Sequence, residues 1–204
     1  MAFSWANSRA AFADAAEWFV RTTALVGDRW HQPALGEWDV RALVGHTSRS
    51  FLTVEAYLAR PAEEVDVFSA ADYFRVTRTL AAGSAVTARG RDAGQALGSD
   101  PAAGVAEIAE RVLRLVERQD GTELVTSIAG GMRLEDYLPT RTFELAVHTT
   151  DLATALALPP KVPPTAGAQA LHVVAELAAA DGLAGPLLLA TTGRHGLPSG
   201  FSVL

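Results

Sequence analysis

The chain contains no cysteine. That excludes disulfide bridges, thiolate metal ligands and a cysteine nucleophile, so any thiol chemistry must bring its thiol from outside. Lysine is nearly missing as well: Lys161 is the only one, and arginine carries the rest of the positive charge. Asp and Glu outnumber Lys and Arg by 23 to 17, for a formal net charge of −6. No basic block of the kind that marks a nucleic-acid footprint is present, so a nucleic-acid partner is not expected. No apolar run approaches the ~18 residues that suggest a transmembrane helix. The segment from Met1 to Asn7 lacks a basic stretch followed by an apolar one. Neither a membrane span nor a signal peptide is expected, and a cytoplasmic location is the default. Internal repeats and low-complexity linkers are also missing.

What the chain does have is apolar bulk. Hydrophobic residues make up 49% of its 204 positions, enough for one sizeable core. Helical spacing runs from Ser4 to Val26 and stops at Gly27. A loop over Asp28–Glu37 leads to Asp39, whose carboxylate can cap a second helix reaching about Ala59 before Pro61. That helix should turn Leu43, His46, Ser50, Thr53 and Tyr57 inward. A short helix carrying Tyr73 and Phe74 fits 66–80, and the Gly- and Ala-rich stretch 81–99 reads as loop or weak helix. Asp100 and Pro101 open another helix, with Val105, Ile108, Val112, Leu115 and Val116 on one face and Gly121 at its end. The β-prone run from Glu123 to Ile128 and the run Met132–Leu134 flank Gly130-Gly131, a small hairpin. Pro139 then starts a helix that ends near Leu158, ahead of Pro159-Pro160. Thr165–Ala180 is a further helix and 186–192 a last apolar helix or strand. The expectation is a mainly all-α fold, a helical bundle with a short hairpin and extra C-terminal helices. It forms a single domain over 1–204, with 159–204 as a C-terminal helical extension.

The segment Arg141–Asp151 does not fit a plain core helix. Arg141, Glu144, His148 and Asp151 are spaced 3, 4 and 3 apart, which puts all four on one helix face. Phe143, Leu145, Val147, Leu152 and Ala153 fill the other faces. Buried charge is costly unless it is paired or bound to metal. Glu144 and His148, one turn apart, can share a cation, and His46 on the inward face of the second helix is the best third ligand. Two imidazoles and a carboxylate suit Zn²⁺ with one coordination position left open; Ni²⁺, Fe²⁺ or Mn²⁺ fit the same donors. Arg141 and Asp151 are the candidate catalytic and supporting groups, placed to orient the ligands and adjust their basicity. An acid and a histidine four apart also form ordinary salt bridges. The gathering of four polar groups on an otherwise apolar helix is what favours metal.

The segment Trp38-Asp-Val-Arg-Ala-Leu-Val-Gly-His46 resembles the second-helix motif of the mycothiol-dependent maleylpyruvate isomerase N-terminal domain, a branch of the DinB-like metal-binding bundles. Phe143–Leu152 resembles the family's second ligand-bearing helix, and Gly130–Leu138 its approach to that helix. The resemblance runs from the first helix to about Leu158. It implies a DinB-like four-helix bundle, with metal ligands at His46, Glu144 and His148. It also implies mycothiol or a similar low-molecular-weight thiol as cosubstrate. The isomerases carry a second, C-terminal domain that helps form their active site; residues 159–204 read instead as one more helix and a tail, a departure from that pattern.

Three functional classes follow. In the first, a metal-dependent thiol transferase or isomerase-like enzyme, a metal-bound thiolate attacks a small electrophile such as an epoxide, conjugated enone, alkyl halide or activated ester. The second is a metal-assisted hydrolase, with Asp151 as a base acting through water. The third is a non-enzymatic metal- or ligand-binding bundle, with a homodimer among its expected states. Arg41 and Arg49, about a turn either side of His46, are lesser candidates for a substrate carboxylate. Trp38 and Tyr137 read as packing near the site, and His31, His172 and His195 as surface.

Overall fold

The computed structural model describes residues 3–78 and 84–204; positions 79–83, which fall within the two less regular stretches above, lie outside the described residues. Eight helices occur among the described residues. The first, α1, spans Trp5–Ala24, α2 Val40–Leu58, α3 Ala70–Thr77 and α4 Ser84–Ala96; α5 spans Pro101–Glu117, α6 Leu134–Ala155, α7 Pro164–Ala180 and α8 Ala184–Thr191. Two antiparallel strand pairs complete the fold. Strands β1 (Pro33–Leu35) and β2 (Trp38–Asp39) form one, and β3 (Leu124–Ser127) and β4 (Gly130–Arg133) the other. The mainly helical bundle expected from the pattern is present. No described helix is long and apolar enough to cross a membrane.

The bundle closes around α1, α2, α5 and α6. Phe12 and Phe19 of α1 are fully buried against Phe51 of α2, with ring centroids 5.9 and 6.1 Å apart. Side-chain caps fix the helix starts. Ser4 accepts from the Asn7 amide, Asp39 from Ala42 and Asp100 from Ala103, each satisfying one donor that the first helical turn leaves open. Helix α7 packs on α1 and α6. It contributes Val173 and Leu177 to the same core, and Gln169 Nε2 donates to Ser8 Oγ at 2.9 Å. Helix α8 buries none of its residues fully.

Two local expectations are corrected, and one, loop or weak helix over 81–99, is decided for helix over 84–96. The Gly- and Ala-rich 84–96 stretch is a regular helix. Its glycines, read as helix-weakening, let α4 touch α2 at backbone distance: a Cβ on Gly45 would stand 2.1 Å from the Gly94 nitrogen, and one on Gly94 2.6 Å from the Arg41 carbonyl oxygen. The glycine pair 130–131 is not the hairpin turn. It lies in β4, and Ile128 and Ala129 make the turn, with Ser127 opposite Gly130. Gly131 is needed because a Cβ there would meet the Glu64 carbonyl oxygen at 2.0 Å. Finally, α6 begins at Leu134 and contains Pro139. Its first amides are already satisfied, Leu134 N–H by the Glu123 carbonyl at 2.8 Å and Glu135 N–H by that of Gly121 at 3.0 Å. The helix therefore starts straight out of β4 without waiting for a proline.

Candidate metal centre

Helices α2 and α6 pack side by side, and the site lies between them. His46 comes from α2; Glu144 and His148 come from successive turns of α6. One ligand atom from each of the three lies within 4.8 Å of the others. This is the trio picked out by spacing, and it is the one group among the described residues whose His, Asp and Glu atoms could hold a metal ion.

Each side chain has its own surroundings. His148 is held at both nitrogens: Nε2 lies 3.2 Å from Glu144 Oε2 and Nδ1 lies 3.1 Å from Asp151 Oδ2. In the protonated ring Nδ1–H donates to Asp151 and Nε2–H to Glu144; once Nε2 gives up its proton, its lone pair faces Glu144 and the site. The ring of His46 meets that of His148 edge to face, centroids 4.9 Å apart. On its other side it lies against the indole of Trp38 at 4.4 Å and 34°. Trp38 is itself fixed by Nε1–H donating to the Thr87 carbonyl of α4 at 3.1 Å. The close α2–α4 contact thus reaches the site through Trp38. His46 Nδ1 is buried and makes no hydrogen bond to any described group, a costly arrangement for a polar atom unless something else occupies it.

Charge is strongly perturbed here. Burial, then the neighbouring His148, lowers His46 to about 4, so it is neutral at physiological pH. Burial acts against ionisation of Glu144, but the hydrogen bond from His148 and the charge of Arg141 outweigh it and hold the carboxyl at about 2. Burial likewise opposes protonation of His148, yet the hydrogen bonds to Asp151 and Glu144 raise it to about 9. Without a cation, the proton on His148 plays the part of the positive charge between two carboxylates. A metal ion fits the same electrostatic slot. The residues therefore fit the metal on three counts: the donor set, the convergence of ligand atoms and the orphaned His46 nitrogen.

Arg141 is placed differently from the expectation. Among the described residues it makes no ion pair with Glu144; Nε donates to Thr140 Oγ1 at 2.9 Å. Its Cζ sits over the rings of Tyr137 and Tyr73, 5.0 and 5.2 Å from their centroids. Tyr73, on α3, is the neighbour that spacing missed, because nothing in its own segment links it to α6. Arg41, a lesser candidate for substrate binding, is structural: Nε and Nη2 donate to the carbonyls of Gly94 and Gly98 at 2.9 and 2.6 Å. His31 and His195 are exposed, and half-buried His172 lies 3.3 Å from Glu176, away from the site.

The family model described as the mycothiol maleylpyruvate isomerase N-terminal domain matches residues 6–153, from within α1 to almost the end of α6. Its span takes in His46, Glu144, His148 and Asp151. No curated protein and no solved structure matches the chain.

Proposed function

The chain belongs to the mycothiol maleylpyruvate isomerase N-terminal domain family, and on that premise we propose that it is a metal-dependent enzyme joining a low-molecular-weight thiol of the mycothiol type to a small electrophile. The observation that carries this reading is the convergence of His46, Glu144 and His148 on one point, with a His46 nitrogen buried and unused. These three residues would hold the ion, Zn²⁺ being the best match to two imidazoles and a carboxylate. When bound, a divalent cation supplies a charge that strongly favours the deprotonated form of a thiol. The chain's own residues do the rest. Asp151 holds the His148 ring in one tautomer and orientation. Trp38 fixes the plane of His46. The lack of cysteine means that the nucleophilic sulfur comes from the cosubstrate.

The hydrolytic reading ranks second. Asp151, its candidate base, is engaged with His148 Nδ1, which ties up the group that would have to accept a proton from water. The test is elemental analysis of the purified protein, followed by assay against epoxide, enone and halide electrophiles with and without thiol. His46→Ala is expected to lose both metal and thiol transfer. Thiol transfer that survives loss of the metal would overturn the mechanism, and turnover of esters without thiol would favour hydrolysis.

A further inference from the structure

A groove of about 620 Å³ lies where the C-terminal ends of α2 and α5 meet the start of β3. That volume is within the range of small-molecule sites, about 300–1,000 Å³. Glu55, on its edge, follows His46 by about two and a half helical turns, so it leaves α2 on the opposite side, about 13 Å further along the axis. The groove is therefore separate from the metal centre.

Its walls are apolar, with Leu58, Pro61, Leu115 and Leu124, and no described residue that lines it is basic. The polar groups on it are acceptors. Glu55 is already satisfied, because Arg111 Nε and Nη2 donate to its two oxygens at 2.8 and 3.0 Å. Glu123 is not. Its oxygens accept from the Asp120 and Gly121 amides at 3.1 and 3.0 Å, which holds the carboxylate in place. Among the described residues no ion pair neutralises it. Gln119 turns its Nε2 to the Leu115 carbonyl at 3.0 Å, and no described group donates to its Oε1. Helix α2 has no basic residue in its last turn, and no described group donates to the carbonyls of Leu58 and Ala59. Those carbonyls carry the negative end of the helix dipole, and both residues line the groove.

An anchored carboxylate and several open carbonyls on an apolar groove call for a cation with an apolar body. We propose that this groove binds an organic amine in its ammonium form. The ammonium has three donors, which suit Glu123, Gln119 Oε1 and the end of α2, while the hydrocarbon lies along the leucines. A bare metal ion does not suit it, since the His46, Glu144 and His148 trio is the one described group that could hold one. The proposal needs neither the metal nor the thiol of the proposed function.

The experiment compares hexylammonium, hexanol and hexanoate, which share a chain and differ in the charge of the head group. Each is titrated into isotope-labelled protein and followed through the amide resonances of Gln119, Glu123 and Leu124. Hexylammonium is expected to bind about tenfold tighter than hexanol, with hexanoate weakest. The advantage should shrink as salt rises from about 0.02 to 0.5 M. Glu123→Gln removes the charge and keeps an oxygen for the turn, so the advantage should fall to about twofold or less. Because that change can unsettle the turn at 120–121, Leu115→Lys gives a second readout. It sets an ammonium of the protein's own at a half-buried wall position, and hexylammonium binding should weaken about tenfold or more with the fold intact by circular dichroism. Unmoved groove resonances at about 20 mM hexylammonium, equal binding of the three head groups, or unchanged affinity in folded Leu115→Lys would each overturn the proposal. So would groove resonances that move with protein concentration alone, which would seat a second copy of the chain there. Chelation and His46→Ala should leave the binding unchanged; dependence on either would assign the ammonium to the metal centre and overturn the proposal.

Discussion

The Nδ1 atom of His148 stands 3.1 Å from Oδ2 of Asp151, one turn further along α6. The contact sets which imidazole nitrogen is free to face Glu144 and His46, and it makes the ring more basic. Asp151→Asn keeps the shape but weakens the hydrogen bond and removes the charge. Metal affinity should fall about 10- to 100-fold, read by competition against a chromophoric chelator with the fold checked by circular dichroism.

The same geometry sets the pH dependence of metal uptake. A cation must displace the proton that His148 holds up to about pH 9, whereas His46, at about 4, has none to lose above pH 6. Between pH 6 and 9 the apparent affinity should therefore rise about tenfold per pH unit and then level off. Calorimetry at pH 7 in buffers of different ionisation enthalpy should count about one proton released per ion. A pH-independent affinity would contradict this charge assignment.

Asp136, in the first turn of α6, gives a stability prediction away from the metal. Burial, then the like charge of Glu135, raises its carboxyl from 3.8 to about 6. A group whose pKa is raised on folding contributes its full stability below the unfolded value and loses it as pH climbs through the folded one. The ionised aspartate should thus weaken the fold above about pH 6. Asp136→Asn is expected to gain about 1–2 kcal/mol at pH 8, with the gain vanishing by pH 4, in urea unfolding at the two pH values.

The backbone contact between Gly45 and Gly94 gives the sharpest packing prediction. Gly45→Ala would put a methyl group 2.1 Å from the Gly94 nitrogen, and neither helix can yield without separating. A loss of about 3 kcal/mol or more is expected in chemical denaturation. Because Gly45 adjoins His46 and α4 holds Trp38, metal affinity should drop along with stability. In contrast, Gly182→Ala, where nothing lies within 4 Å, should cost only the strain of a left-handed backbone, about 1 kcal/mol.

Much of the architecture was legible because local physics dictates it. Asp39 and Asp100 announce their helices by capping chemistry, and Gly27 and Gly121 lie with positive φ in the loops a few residues past the ends of theirs. The polar stripe from Arg141 to Asp151 was visible because four polar residues at helical spacing contradict an apolar helix. His46 followed as the inward-facing imidazole of another helix. The two readings that turned on glycine share one cause. Glycine in 84–96 and at 130–131 is ambiguous in isolation, since the residue that weakens a helix or makes a turn also permits close approach, and only the neighbour shows which applies.

By itself the sequence determined the bundle's helices, the absence of any internal thiol and the trio His46, Glu144 and His148, because periodicity and residue chemistry are local properties. The tertiary structure alone decided that α4 is a helix pressed onto α2 and that Trp38 orients His46. It also decided that Arg141 turns from Glu144 to a cage of Tyr73 and Tyr137. Each of these depends on which segments meet across the core, and burial there sets the cost of every unpaired charge.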